Sequence, residues 1–92
     1  MENDKTHMVY MLQCNDGTLY TGYTNNLKKR ITMHENGKGA KYTRGRGPFQ
    51  LVFCQSFSSK EEAMHEEYQI KQLSRKQKDK LIKSFTEGHD GR

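Results

Sequence analysis

Five side chains of this sequence carry groups that could cooperate in moving protons and steadying negative charge: Tyr10, Tyr20, Arg30, His34 and Glu67. A phenol both donates and accepts a hydrogen bond, and a guanidinium presents a planar fork of donors suited to oxyanions. An imidazole changes charge near neutrality, and a carboxylate can accept a proton or hold a cation. The five are scattered from position 10 to position 67, so joint chemistry depends on the elements that carry them.

Whether the two phenols meet is decided by the turn between them. Met8 to Cys14 reads as a strand and Thr18 to Thr24 as its return, with Asn15-Asp16-Gly17 between. A two-residue turn at Asp16-Gly17 would set Cys14 opposite Leu19 and send the tyrosines to opposite faces. A three-residue loop with a left-handed Gly17 pairs Cys14 with Thr18, Leu12 with Tyr20 and Tyr10 with Gly22. Both phenols then stand diagonally on one face. Asn and Asp before Gly suit the right-handed positions of the longer loop, which is therefore expected, and Gly22 should leave open space beside Tyr10. Tyrosines are also good strand residues, so taken alone the pair equally suits ordinary packing.

Thr24 or Asn25 is expected to cap a first helix, with Leu27 and Ile31 on its apolar side and Asn36-Gly37 at its end. Arg30 falls at the border of that side, and His34 follows at i+4 on the same flank. A histidine near a helix C-terminus also suits the dipole, which leaves two readings for His34. Gly37 to Gly47, with four glycines in eleven residues, reads as an irregular loop closed by Pro48, and Gln50 to Phe57 as a third strand. Ser58 or Ser59 should cap a second helix to about Leu73, Ser59 and Glu62 matching a capping box. A third, short helix is expected from Ser74 to about Lys83, resting on Leu81 and Ile82.

On the second helix Ala63, Ile70 and Leu73 mark a buried stripe at the helical period, and among Glu61, Glu62, Glu66 and Glu67 only Glu67 falls on it. A carboxylate there costs several kcal/mol unless a cation or donors compensate it. The order ββαβαα implies an α+β fold, a small three-stranded antiparallel sheet flanked by helices. Residues 1–6 are expected to be a disordered tail, 7–84 a single domain, and 85–92 a flexible tail.

Ninety-two residues with 32% hydrophobic content allow one thin core. The longest apolar run, Met8 to Leu12, is far too short to span a bilayer, so no membrane role is expected. Cys14 and Cys54 match no zinc spacing and read as reduced thiols of a cytoplasmic protein. Net charge is +5 and the pI about 9.3. The cations concentrate in Lys28–Arg46 and again in Lys71–Lys83, which suggests a polyanionic partner. Whether they form one groove or two faces is open at this point.

Met8-Val9-Tyr10, then Tyr20-Thr21-Gly22-Tyr23-Thr24, then Leu27 and Arg30, resembles the signature of the GIY-YIG nuclease superfamily. Met and Val replace Gly and Ile in the first tripeptide, and Thr replaces Ile in the second. The run Gly39-Ala40-Lys41-Tyr42-Thr43-Arg44-Gly45-Arg46-Gly47-Pro48 is similar to the loop of its small stand-alone bacterial members. The resemblance covers roughly residues 7 to 83. An Asn that many relatives carry after the metal-ligand helix has no counterpart in Leu73-Ser74-Arg75-Lys76.

The resemblance implies a metal-dependent endonuclease cutting phosphodiesters, DNA before RNA, by structure rather than sequence, in repair or recombination. It implies Tyr10 as the group taking the proton of the attacking water, given neighbouring cations that favour phenolate. Tyr20 would position that water or bond the phosphate. Arg30 would neutralise phosphoryl oxygens, and His34 would assist proton transfer or orient a phosphate. Glu67 would hold a single Mg2+ or Mn2+. Lys38, Lys41, Tyr42, Arg44 and Arg46 would meet backbone phosphates and a stacked base. No separate nucleic-acid-binding domain is expected beside the module. A monomer is expected, alone a weak binder or one that a protein partner directs to substrate. The alternatives are a non-catalytic nucleic-acid adaptor of the same fold and a protein-interaction module whose basic face meets an acidic partner.

Overall fold

The computed structural model describes residues 6–90, with side chains through residue 87; the expected N-terminal tail, apart from Thr6, and the last two positions lie outside the described residues. Three strands, β1 (His7–Gln13), β2 (Leu19–Thr24) and β3 (Gln50–Phe57), form an antiparallel sheet in the order β2-β1-β3. Helix α1 (Leu27–Glu35) follows the hairpin, and α2 (Lys60–Lys71) and α3 (Arg75–Asp90) follow β3. This is the expected ββαβαα order.

The apolar run in β1 is explained by its place. Val9, Tyr10, Met11 and Leu12 are all 0% exposed, because the central strand is covered on both faces and does not alternate with polar residues. Val9 and Met11 join Val52, Phe53, Ala63 and Ile70 in the apolar core, with Leu19, Tyr23, Phe57, Leu73, Leu81, Ile82 and Phe85 packed around it. The β1–β3 register slips between Met11 and Leu12, leaving Val52 as the extra residue of a bulge. No helix among the described residues is long and apolar enough to cross a membrane. Cys14 and Cys54 are both free thiols, and burial raises the pKa of Cys54.

Two helix ends differ from expectation. The cap of α1 is Asn26, whose side chain accepts from Lys29 N at 3.2 Å. Thr24 turns the chain into it, its hydroxyl accepting from Asn26 N at 3.0 Å. Helix α3 does not stop near Lys83 but continues to Asp90, and Phe85, assigned above to a flexible tail, packs its ring 5.8 Å from that of Phe53. Phe85 lies three and four residues beyond Ile82 and Leu81, so it extends their stripe and holds the last turns to the sheet. The other caps follow the sequence: Ser59 Oγ accepts from Glu62 N at 3.1 Å, and Ser74 and Gln77 form a reciprocal box.

Candidate active site

The hairpin loop has the expected three-residue form. Cys14 N donates to Thr18 O at 2.8 Å, and Gly17 sits at φ +87°, where a β-carbon would be strained. Leu12 therefore faces Tyr20 and Tyr10 faces Gly22, and the two phenol rings lie 6.2 Å apart on one face. The space beside the Tyr10 phenol is not open. A β-carbon at position 22 would stand 2.6 Å from Tyr10 Oη, so the phenol itself fills the room that glycine leaves.

Helix α1 brings two more groups to this face. His34 is 1% exposed, and its Nε2 lies 2.8 Å from the Tyr10 hydroxyl. The imidazole meets the Tyr20 ring edge-on at 5.2 Å and Phe49 at 6.0 Å. Arg30, one turn earlier, hydrogen-bonds to Tyr10 and Tyr20, and these bonds, Tyr10 first, hold its pKa above the ordinary value. Three groups from two elements thus surround one buried phenol.

The condition attached to the role of Tyr10, neighbouring cations that favour phenolate, is not met: its pKa is pushed up to about 12. Burial is the largest cause; the Arg30 hydrogen bond opposes it without overcoming it, and the charges of Tyr20 and Glu67 add to it. Tyr10 is a neutral phenol at physiological pH. His34 moves the other way: burial and then the Arg30 charge lower its pKa, so it is a neutral imidazole there.

Glu67 occupies the stripe between Ala63 and Ile70, with its side chain 14% exposed and Lys71 Nζ 3.1 Å from its carboxylate. Its charge is the smallest of the influences that shift the Tyr10 pKa. Glu61 and Glu62 are exposed and Glu66 is half-buried. Among the described residues no group of three or more His, Cys, Asp or Glu could hold a metal together. A lone shielded carboxylate does fit a Mg2+-type ion, which keeps several waters and takes one or two protein oxygens.

The glycine-rich loop contains one short 3-10 turn, Lys41–Thr43, and lies against the hairpin. Tyr42 is 45% exposed and stacks on Tyr20 at 6.1 Å and 23°. Lys38, Lys41 and Arg44 face solvent. Arg46 is engaged: it pairs with Asp16 of the hairpin turn, donates from Nε to Tyr42 O at 2.6 Å and lies 4.6 Å over the Tyr42 ring. Asn15 N also donates to Arg46 O at 2.7 Å, so loop and hairpin tip are sewn together. Asp16 has its pKa lowered by hydrogen bonds from Thr18, with Arg46 adding to the effect.

Three residues around His34 were not singled out by sequence. Thr43 is 0% exposed with Oγ1 2.9 Å from His34 Nδ1; a β-carbon at Gly39 would stand 2.2 Å from that nitrogen; and Phe49 covers the ring. Two glycines, 22 and 39, thus admit the two ends of one Tyr10–His34 pair. That pairing is the available signal, and it needs the fold to be seen.

A model of the GIY-YIG catalytic domain matches residues 6–80. The UPF0213 protein OB0043 of Oceanobacillus iheyensis is 63% identical over 79 residues, which take in 86% of this chain and 92% of that protein. The solution structure of the protein EF2693 from E. faecalis aligns over 94% of this chain and 92% of its own, with 42% identity and a TM-score of 0.64. That of the UPF0213 protein BH0048 from Bacillus halodurans aligns over 85% and 83%, with 58% identity and a TM-score of 0.57. The chain belongs to the GIY-YIG catalytic domain family.

Proposed function

We propose that this protein is a metal-dependent endonuclease that hydrolyses nucleic-acid phosphodiesters, DNA foremost, by structure rather than sequence, in repair or recombination. The observation that carries the reading is the convergence of Tyr20, Arg30 and His34 on the buried phenol of Tyr10. The loop beside them offers exposed cations at Lys38, Lys41 and Arg44 and the partly exposed ring of Tyr42, which suit backbone and base faces without reading base edges.

With a phenol of pKa about 12, the base cannot be a standing phenolate. Tyr10 works as a relay. A water that reaches the buried phenol oxygen when substrate binds gives it a proton while the phenol's own proton passes over 2.8 Å to His34 Nε2. The hydroxide oxygen bonds to phosphorus, and the bond from phosphorus to the leaving sugar oxygen breaks. Its electron pair stays on that oxygen, which takes a proton from solvent. Tyr20 orients the water or the phosphate, and Arg30 offsets the charge growing on the non-bridging oxygens. Glu67 would hold Mg2+ or Mn2+, which when bound supplies Lewis-acid stabilisation of those oxygens.

The test is a cleavage screen over duplex, single-stranded and branched DNA with Mg2+ or Mn2+. Cleavage that is lost in Tyr10→Phe and Glu67→Ala supports the reading, and cleavage that survives both ends it. One observation favours a second reading, a nucleic-acid adaptor without chemistry: Lys71 already neutralises the Glu67 carboxylate. It gives salt-sensitive binding and no cleavage with any metal, while cleavage appearing only with a partner protein marks a partner-dependent nuclease.

A further inference from the structure

We propose that Thr43 is a positioning residue whose hydroxyl fixes the tautomer of His34 and thereby the direction in which the Tyr10 proton moves; its catalytic meaning rests on the nuclease reading above.

The argument is one of counting protons. Thr43 Oγ1 lies 2.9 Å from Ala40 O and 2.9 Å from His34 Nδ1, and a threonine hydroxyl has one hydrogen. A carbonyl oxygen and a hydroxyl oxygen at that separation repel unless the hydrogen lies between them. Thr43 therefore donates to Ala40 O, and toward His34 it can only accept. Nδ1 must then carry the imidazole proton. In neutral His34 this leaves Nε2 as a bare lone pair facing the Tyr10 hydroxyl at 2.8 Å, and the phenol must donate. The opposite tautomer would set two acceptors, Nδ1 and Oγ1, against each other in a site where both residues are at most 1% exposed. The chain runs one way, from Tyr10 through His34 to Thr43 and Ala40.

The local backbone is built for this contact. Thr43 N donates to the same Ala40 O at 3.0 Å, so the turn that presents the hydroxyl is closed by its own carbonyl acceptor. Gly39 lets the loop pass where any β-carbon would strike His34 Nδ1. The loop that carries Lys41 and Arg44 thus also sets the protonation of a residue on α1.

The test is a long-range 1H–15N spectrum of the His34 ring at neutral pH in the full chain, for wild type, Thr43→Val and Thr43→Ser. In wild type Nδ1 should give the protonated, pyrrole-type shift and Nε2 the pyridine-type shift. Thr43→Val should lose that pattern, mixing the tautomers or inverting them, and Thr43→Ser should restore it. Cleavage should fall in kcat by roughly 10- to 100-fold in Thr43→Val with KM nearly unchanged, the usual scale for a lost orienting partner, and recover in Thr43→Ser. A wild-type spectrum with the proton on Nε2 overturns the proposal, and that measurement needs no variant to fold. A spectrum as expected in a protein that cuts nothing leaves the tautomer assignment standing and removes the nuclease reading instead.

Discussion

Alternate residues of one strand are buried by two different kinds of force. On one face of β1, Val9 and Met11 are sealed by Phe53, Ala63 and Ile70, contacts without direction that any side chain of the right volume could make. On the other, Tyr10 is equally inaccessible, yet its hydroxyl is matched by His34 and Arg30, each in a required place. The first face holds the sheet together. The second accepts a desolvated phenol and imidazole and spends its order on directed hydrogen bonds. Buried polar groups tolerate the loss of a partner poorly, whereas an apolar cluster loses stability in proportion to the volume removed.

The largest effect should separate the faces by activity. Tyr10→Phe keeps the ring and its packing but removes the relay, so cleavage per folded molecule should fall by roughly 10²- to 10⁴-fold, the range for a lost general base. Met11→Ala, one residue along, should cost about 2–5 kcal/mol of stability and leave cleavage per folded molecule unchanged. Steady-state cleavage beside urea unfolding of both variants checks this. If the two variants lose activity only in step with stability, the faces do not differ in kind.

Stability can also be probed at the edge of the apolar face. Phe85→Ala should destabilise by up to about 3 kcal/mol, toward the low end for Phe→Ala because the ring is only partly buried. Chemical denaturation measures it. A change too small to resolve would mean that the last turns of α3 add nothing to the core.

What was legible in the chain follows the same division. The core face was readable because its signals are local: the apolar run of β1, the period of Ala63, Ile70 and Leu73, and the Asn15-Asp16-Gly17 loop that sets the register of both tyrosines. The same periodicity placed Glu67 on the buried side of α2. Where the reading stopped early, at Lys83, the polar composition after Ser84 outweighed the single apolar contact of Phe85. The surroundings of His34 were not readable. Thr43 sits in a loop without period, and its place depends on contacts thirty residues away, such as Arg46 with Asp16. The state of Tyr10 was not readable for a related reason: the nearby cation could be counted in the sequence, but the depth of burial that outweighs it could not.

That burial has a consequence for stability against pH. The Tyr10 pKa rises from 10.0 unfolded to about 12 folded. Between those values the unfolded chain has lost the proton and the folded one has kept it, so stability falls as pH rises through the window and is complete below it. At about 1.4 kcal/mol per unit the loss is of order 2–3 kcal/mol. Urea midpoints at pH 9 and pH 11.5 should show a steeper decline in wild type than in Tyr10→Phe. Equal declines would mean that the phenol is not shielded. His34 works at the other end: its folded pKa lies below 6.5, so the unfolded state takes up the proton first and stability falls as pH drops beneath 6.5.

The smallest expected effect compares two arginines of one loop. Arg44 is exposed, whereas Arg46 is tied to Asp16 and to the Tyr42 carbonyl. If Arg44 meets a phosphate, Arg44→Ala should weaken duplex binding evenly across sequences and lower the log–log salt slope by about 0.9. Cleavage of bound substrate should be untouched. Arg46→Ala should leave that slope closer to wild type, since its guanidinium is already engaged by a carboxylate, and should instead loosen the loop that presents Thr43 to His34. Binding titrations across a salt series distinguish the two. Equal slope changes would show that Arg46 leaves Asp16 for the nucleic acid, making the loop a contact surface along its whole length and the clasp a feature of the unbound protein alone.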